Sequence, residues 1–191
     1  AGSDEAADCK TNSISGSYVV ANASSATQCA GGTYKGSHQV NYGSASSCSD
    51  CTAGNYCPAG ASSQTSCATV GGKLYVNSAA KSDASTDCYI SLAATKYLPS
   101  ATSTSVSSCT KGNYCAGGNF YYKSGATNQG LTQCPANSYC VAGVSEPVAC
   151  STLGGGLYKN STAGSDAAED CNFTTTAGKY IVANTDTAQT T

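Results

Sequence analysis

Small disulfide-rich repeats, made mainly of short β-hairpins and loops, elongated and with little helix, are what this chain is expected to form. Three features lead there. Thirteen cysteines stand in 191 residues. Their spacing recurs, so that Cys51–Cys88 overlays on Cys134–Cys171 without a gap at an offset of 83. The apolar residues that would fill an ordinary core are scarce, with two Phe, no Trp and no Met. A chain this poor in large apolar side chains cannot bury enough surface for its length, and covalent links are the usual substitute.

In the overlay, C-TAGNY-C-PAGASSQTS-C matches C-PANSY-C-VAGVSEPVA-C, and ATVGGKLYVNSAAKSDASTDC matches STLGGGLYKNSTAGSDAAEDC. Tyr56/Tyr139, Gly71/Gly154, Leu74/Leu157, Tyr75/Tyr158, Asn77/Asn160 and Asp83/Asp166 align along with four cysteines over 38 positions. Chance does not keep such a frame, and self-similarity at a fixed period marks a repeat array. Three landmarks divide the chain. The first is S-D-x-x-x-D-C, ending at Cys9, Cys88 and Cys171. A tyrosine follows nine residues later, at Tyr18, Tyr97 and Tyr180. The third is a tyrosine directly before a cysteine, at Tyr56, Tyr114 and Tyr139. The units expected are residues 1–87, 88–170, and a third, incomplete unit at 171–191.

Within the units, YVVAN, KLYVNS and KYIVAN carry β-forming residues with partial alternation and suit short strands. Gly-Gly pairs at 31–32, 71–72, 117–118 and 154–155 punctuate them. Each SDAAEDC-like segment suits a single helical turn with Ser165 as N-cap and acids in its first turn. The Asp pairs in these segments fit turn and cap roles better than calcium ligation, since no EF-hand spacing is present.

Cysteine at this density belongs to an oxidising compartment, where Cys9, Cys29, Cys48, Cys51, Cys57, Cys67, Cys88, Cys109, Cys115, Cys134, Cys140 and Cys150 are expected in disulfides. Six cysteines alone allow 15 connectivities, so spacing does not fix the pairs. One arrangement links Cys9 to Cys29 and Cys88 to Cys109 across loops of similar length. Cys171 would then be unpaired in this chain or bonded to another subunit. The ends support that arrangement, because AGSDEAADC at 1–9 resembles AGSDAAEDC at 163–171, and in this register Thr191 falls where Cys29 stands. No metal ligand set is expected, since Cys48 and Cys51 form one CxxC without a second and His38 is the only histidine. His38 lies in the polar stretch GSHQVNYG, and no GxSxG elbow accompanies it, so no catalytic residue and no cofactor is expected.

The net charge is −2 and the nine basic residues are all Lys, none clustered, which leaves nucleic acid without an electrostatic footprint. No stretch reaches the length of a membrane-spanning helix. The absent starting Met and signal peptide suggest a processed or partial secreted protein. Sequons at Asn22, Asn160 and Asn172 are candidate glycan sites, and the Ser/Thr tract from Ser100 to Ser108 suits O-glycans. Tyrosines beside cysteines are expected to stack on the disulfides with their hydroxyls in water.

With its Cys-x5-Cys units, its NYC-x-AG elements and its lysine-only basic set, the chain resembles the ciliate immobilization antigens. The resemblance covers nearly the whole chain and implies a cysteine-periodic, Ala/Ser/Thr-rich surface protein held by a lipid anchor outside the chain shown. It implies no catalytic residues. The stretch Cys51-TAGNY-Cys57-PAG is also similar, over about one motif, to ephrin-receptor-like and tumour-necrosis-factor-receptor-like ectodomain modules. The expected function is a non-enzymatic, glycosylated extracellular protein forming a cell-surface coat or filament. Its expected partners are copies of itself, joined head to tail or in a coat, and glycans. The alternative is a receptor-type ligand-binding module.

Overall fold

The computed structural model describes residues 14–37 and 44–180 of the chain. Among the described residues every helical element is a three-residue 3-10 turn, and the strands are short and antiparallel. With six disulfides among these residues, the protein is a small disulfide-rich fold of hairpins and loops.

In chain order the strands are β1 (Ser17–Tyr18), β2 (Thr27–Gln28), β3 (Thr33–Tyr34), β4 (Ser49–Asp50), β5 (Asn55–Tyr56), β6 (Thr65–Ser66), β7 (Tyr89–Leu92) and β8 (Lys96–Ser100). They continue as β9 (Ser107–Ser108), β10 (Asn113–Tyr114), β11 (Gly118–Tyr121), β12 (Thr127–Gln129), β13 (Thr132–Gln133), β14 (Ser138–Tyr139) and β15 (Val148–Ala149). Among the described residues six hairpins repeat one plan: β1–β2, β3–β4, β5–β6, β8–β9, β10–β13 and β14–β15. In each, a tyrosine faces a β-branched or hydroxyl residue across the pair, from Tyr18↔Thr27 and Tyr56↔Thr65 to Tyr139↔Val148. Such cross-strand pairs are the unit of sheet stability.

A backbone device closes every one of these hairpins. Two residues before each tyrosine the chain is left-handed, at Gly16, Gly32, Gly54, Thr95, Gly112 and Asn137, with φ between 66° and 83°. The carbonyl of that residue accepts a hydrogen bond from the N–H of the cysteine that ends the hairpin, at 2.8–3.0 Å in all six. The left-handed turn thus aims its carbonyl back at the outgoing strand. Glycine meets this demand without a steric penalty. At Gly112 a Cβ would also lie 2.6 Å from the carbonyl oxygen of Gly164, so the close backbone approach excludes any side chain.

The hairpins stack three to a unit. One compact unit comprises Ala1–Ile90 with Tyr121–Ser124, and the other Ser91–Phe120 with Gly125–Thr191. Inside each unit, the N–H of a left-handed residue donates to the residue that follows the tyrosine of the next hairpin. Gly16 donates to Lys35 and Gly32 to Cys57 in the first unit, and Thr95 to Cys115 and Gly112 to Cys140 in the second. In the last hairpin of each unit the donor turns to a serine instead, Gly54 to Ser78 and Asn137 to Ser161. Elsewhere β12 pairs with β8, and β7 pairs with β11.

The buried apolar residues are mostly cysteines. Among the described residues eleven are buried, joined by Val19, Val70, Tyr75, Ile90, Leu92, Leu98 and Ala101. Val19 falls in the expected YVVAN strand, although strand pairing there stops at Tyr18. KLYVNS is a turn rather than a strand, holding only the isolated bridge Asn77↔Tyr89. The reason lies in its flanks: Gly71 and Lys73 are left-handed, which curls the chain around the buried Tyr75. Two of the SDxxxDC segments do form one helical turn each, Ser85–Asp87 and Ala168–Asp170, and the segment at 3–9 lies outside the described residues. Ser165 is not the cap. Its hydroxyl donates to the carbonyl of Thr162, while the Asp170 carboxylate accepts from the N–H groups of Asp166 and Ala167 at 2.8 and 3.1 Å. Asp87 serves Asp83 and Ala84 in the same way.

Candidate functional site

The bridges follow the hairpin plan. Cys51–Cys57, Cys109–Cys115 and Cys134–Cys140 each join the cysteine that ends one hairpin to the cysteine after the tyrosine of the next. Cys29 ends the first hairpin, but the position six residues on is Lys35, and Cys29 bonds Cys48 instead. Cys67–Cys88 and Cys150–Cys171 close the loop after the third hairpin of each unit. Cys171 is therefore bonded within the chain, which corrects its assignment as an unpaired or intersubunit residue. The proposed Cys9–Cys29 and Cys88–Cys109 links fall with it. Spacing misled because Cys88 stands 21 residues from both Cys67 and Cys109. The choice is made by the Ser85–Asp87 turn and the Asn77↔Tyr89 bridge, which return Cys88 to within 5.5 Å of Cys67 between Cα atoms. Cys9 and His38 lie outside the described residues.

The two 21-residue loops share a sequence frame but differ in their cover. In the first loop, the Ser66 hydroxyl caps the turn Cys67–Thr69, accepting from the N–H of Ala68 at 3.2 Å. The chain then wraps Tyr75, which is fully buried. Tyr122 covers it edge to face, with ring centroids 5.2 Å apart at 79°. The N–H of Tyr122 donates to the carbonyl of Cys88 at 2.7 Å, and Tyr121 packs on Tyr89 at 5.3 Å. Tyr121–Ser124 thus acts as a strap across this face, carried by the loop between β10 and β13 but belonging to the first unit. Burial, reinforced by neighbouring Tyr122, pushes the Tyr75 phenol above the usual tyrosine pKa.

In the second loop the same positions form an open cleft of about 510 Å³. Leu153 stands where Val70 stands, Tyr158 where Tyr75 stands and Phe173 where Ile90 stands. The first-loop residues are all buried and the second-loop residues all half-buried. Tyr158 meets Phe173, two residues past the closing cysteine, edge to face at 5.2 Å and 80°, much as Tyr75 meets Tyr122 in the first unit. Where Tyr89–Leu92 is a strand, the equivalent stretch 172–175 holds only the bridge Asn160↔Asn172 among the described residues. A second, polar recess adjoins the cleft, lined by Asp166, Glu169 and Asp170. There the Asp166 carboxylate accepts a hydrogen bond from the Lys111 ammonium at 2.7 Å and holds the lysine pKa above its ordinary value.

The sequons Asn22, Asn160 and Asn172 are all exposed. Asn22 occupies a left-handed turn position, with φ at 66°. Asn160 and Asn172 are direct cross-strand neighbours, with the Asn172 side chain also donating to the carbonyl of Asp170 at 3.0 Å. Tyr56, Tyr114 and Tyr139 are half-buried beside their cysteines. Among the described residues no group of three or more His, Cys, Asp or Glu is placed to hold a metal ion, and no helix is long and apolar enough to cross a membrane. Sequence reasoning aligned Tyr75 with Tyr158 but missed Tyr121, Tyr122 and Phe173. The available signal was the aromatic run Phe120-Tyr121-Tyr122 in the loop between β10 and β13, and the exchange of Ile90 for Phe173 in the overlay. No protein-family model and no curated protein matches this chain.

Proposed function

We propose that this chain is a non-enzymatic structural protein of the cell exterior, in which disulfide-stapled repeats form a glycosylated surface coat or an extracellular filament. The observation that carries the reading is the hairpin plan itself, repeated six times among the described residues with a cysteine closing each copy. Nearly every cysteine and several of the Asp and Tyr landmarks have a structural task in that plan, and arrays of this kind supply length and surface. Six disulfides fit an oxidising compartment. The resemblance to ciliate immobilization antigens supports a place at the cell surface with a lipid anchor outside the chain shown. Electron microscopy of the purified protein tests the reading, together with surface labelling of the cells that make it. Regular fibres or a dense surface layer is the expected result. An intracellular, dispersed protein would remove it.

A second reading, a receptor-type binding module, is favoured by the open cleft at Tyr158 and Phe173. A soluble, unrelated ligand that saturates the protein with one site per chain, with no assembly under the same conditions, would select it.

A further inference from the structure

We propose that Tyr89 and Tyr121 form a site of oxidative cross-linking, where an extracellular one-electron oxidant, a haem peroxidase with hydrogen peroxide, joins the two phenol rings as dityrosine. The new bond fixes the Tyr121–Ser124 strap covalently to the residue after Cys88. Such a site goes beyond the structural role above and is independent of whether copies of the chain assemble.

Composition directs oxidation to tyrosine. The chain has no Met and no Trp, and twelve of its thirteen cysteines are in bridges. The thiols and thioethers that ordinarily absorb oxidants are therefore scarce. Thirteen tyrosines remain as the main oxidisable side chains. The structure then selects among them. In the pair Tyr75–Tyr122 the first phenol is fully buried, out of reach of an oxidant in solution. Tyr158 meets the ring of Phe173, which carries no hydroxyl. In the pair Tyr89–Tyr121 two phenols meet at the surface, with Tyr121 58 % exposed and Tyr89 half-buried. The second loop has Asn172 at the place of Tyr89 and offers no equivalent phenol.

The backbone holds the two rings together. Their centroids stand 5.3 Å apart at 53°, and both residues belong to the same compact unit. The neighbouring residues are tied directly, because the N–H of Tyr122 donates to the carbonyl of Cys88 at 2.7 Å and Cys88 is bonded to Cys67. Groups held in contact in this way react as an intramolecular pair, at an effective concentration far above that between separate chains.

The step balances with one peroxide per link. Each phenol gives one electron and its hydroxyl proton to the oxidant and becomes a phenoxyl radical. The two radicals pair their electrons in a carbon–carbon bond between ring carbons adjacent to the hydroxyl-bearing ones. The hydrogen on each joined carbon then passes to the phenol oxygen, which restores both aromatic rings. The two electrons and two protons released convert one hydrogen peroxide to two waters.

The test treats the whole chain, with its bridges verified by peptide mapping, with a haem peroxidase and hydrogen peroxide in dilute solution. The expected product is a monomer with dityrosine fluorescence. After reduction and tryptic digestion, residues 82–96 are expected to stay joined to residues 112–123, at the combined mass less two hydrogens, with fragmentation placing the link at Tyr89 and Tyr121. Tyr89→Phe and Tyr121→Phe keep the packed rings and remove one phenol, and each is expected to lower the yield of intrachain dityrosine by about tenfold or more as the intramolecular advantage is lost. Tyr180→Phe, which removes an exposed tyrosine outside the pair, is expected to leave the yield unchanged. A native chain that stays uncoupled under the oxidant overturns the proposal. So does coupling that favours other tyrosines or links between chains, or that persists undiminished in either variant of the pair.

Discussion

At the scale of single residues, the left-handed positions carry the sharpest consequences. Thr95 sits at φ 72° where four of the other five hairpins use glycine. A β-branched residue there is strained, so Thr95→Gly is expected to stabilise the second unit by up to about 1 kcal/mol, the relief of strain exceeding the added chain entropy. Gly112→Ala is expected to cost about 2 kcal/mol or more, because a methyl group would meet the carbonyl of Gly164 as well as the unfavourable φ. Chemical unfolding of the two variants beside the native protein measures both. Tyr75 adds a pH dependence. Its phenol is held above the ordinary value by burial, then by Tyr122. A raised phenol pKa means that folding favours the neutral form. The stability it contributes is complete below pH about 10 and is lost as the pH climbs through the raised value. Unfolding midpoints near pH 8 and pH 11 are expected to separate more for the native chain than for Tyr75→Phe, with about 10 as the ordinary tyrosine value that places the window.

At the scale of elements, the cysteine-closed hairpin explains the irregularities of the cysteine frame. The first unit has Cys48 because Lys35 occupies the place where Cys57, Cys115 and Cys140 stand in the other copies. The double change Lys35→Cys with Cys48→Ser is expected to yield a folded protein in which Cys29 bonds the introduced cysteine, detected as a new linked peptide in a non-reduced digest. A free Cys29 in that variant would refute the plan. The two sequons at Asn160 and Asn172 face each other across a bridge, where side chains stand about 5 Å apart. Two branched glycans do not fit so close, so glycopeptide mapping is expected to find at most one of the pair occupied per molecule. Part of this level was legible beforehand. Tyrosine before cysteine, the glycine pairs and the SDxxxDC turn all announce local geometry, although in the one-turn helices the second Asp, Asp87 or Asp170, does the capping that Ser165 was expected to do. KLYVNS misled because β-formers were counted without the left-handed Gly71 and Lys73 around them. The connectivity of Cys88 was illegible, because two cysteines lie at the same separation and only tertiary pairing chooses between them.

At the scale of the whole molecule, sulfur–sulfur bonds do the work of an apolar interior. Among the described residues the buried ones in each unit are mainly cystine, and the largest fully buried apolar side chains beyond it are Tyr75, Leu98 and Val19. Composition made this legible from the outset, since a chain with two Phe and no Trp or Met has little else to bury. The strap at Tyr121 and Tyr122 and the open cleft at Tyr158 were not, because the two loops differ in what covers them rather than in their own frame. Each 21-residue bridge is expected to contribute about 3 kcal/mol, chiefly by restricting the unfolded chain. Removing all six should exceed the net stability of about 5–15 kcal/mol that a domain normally holds. The direct test is amide hydrogen exchange of the native protein with and without strong reductant at neutral pH. Loss of protection throughout both units on reduction is the predicted result. Protection that survives with every cysteine reduced would contradict the account.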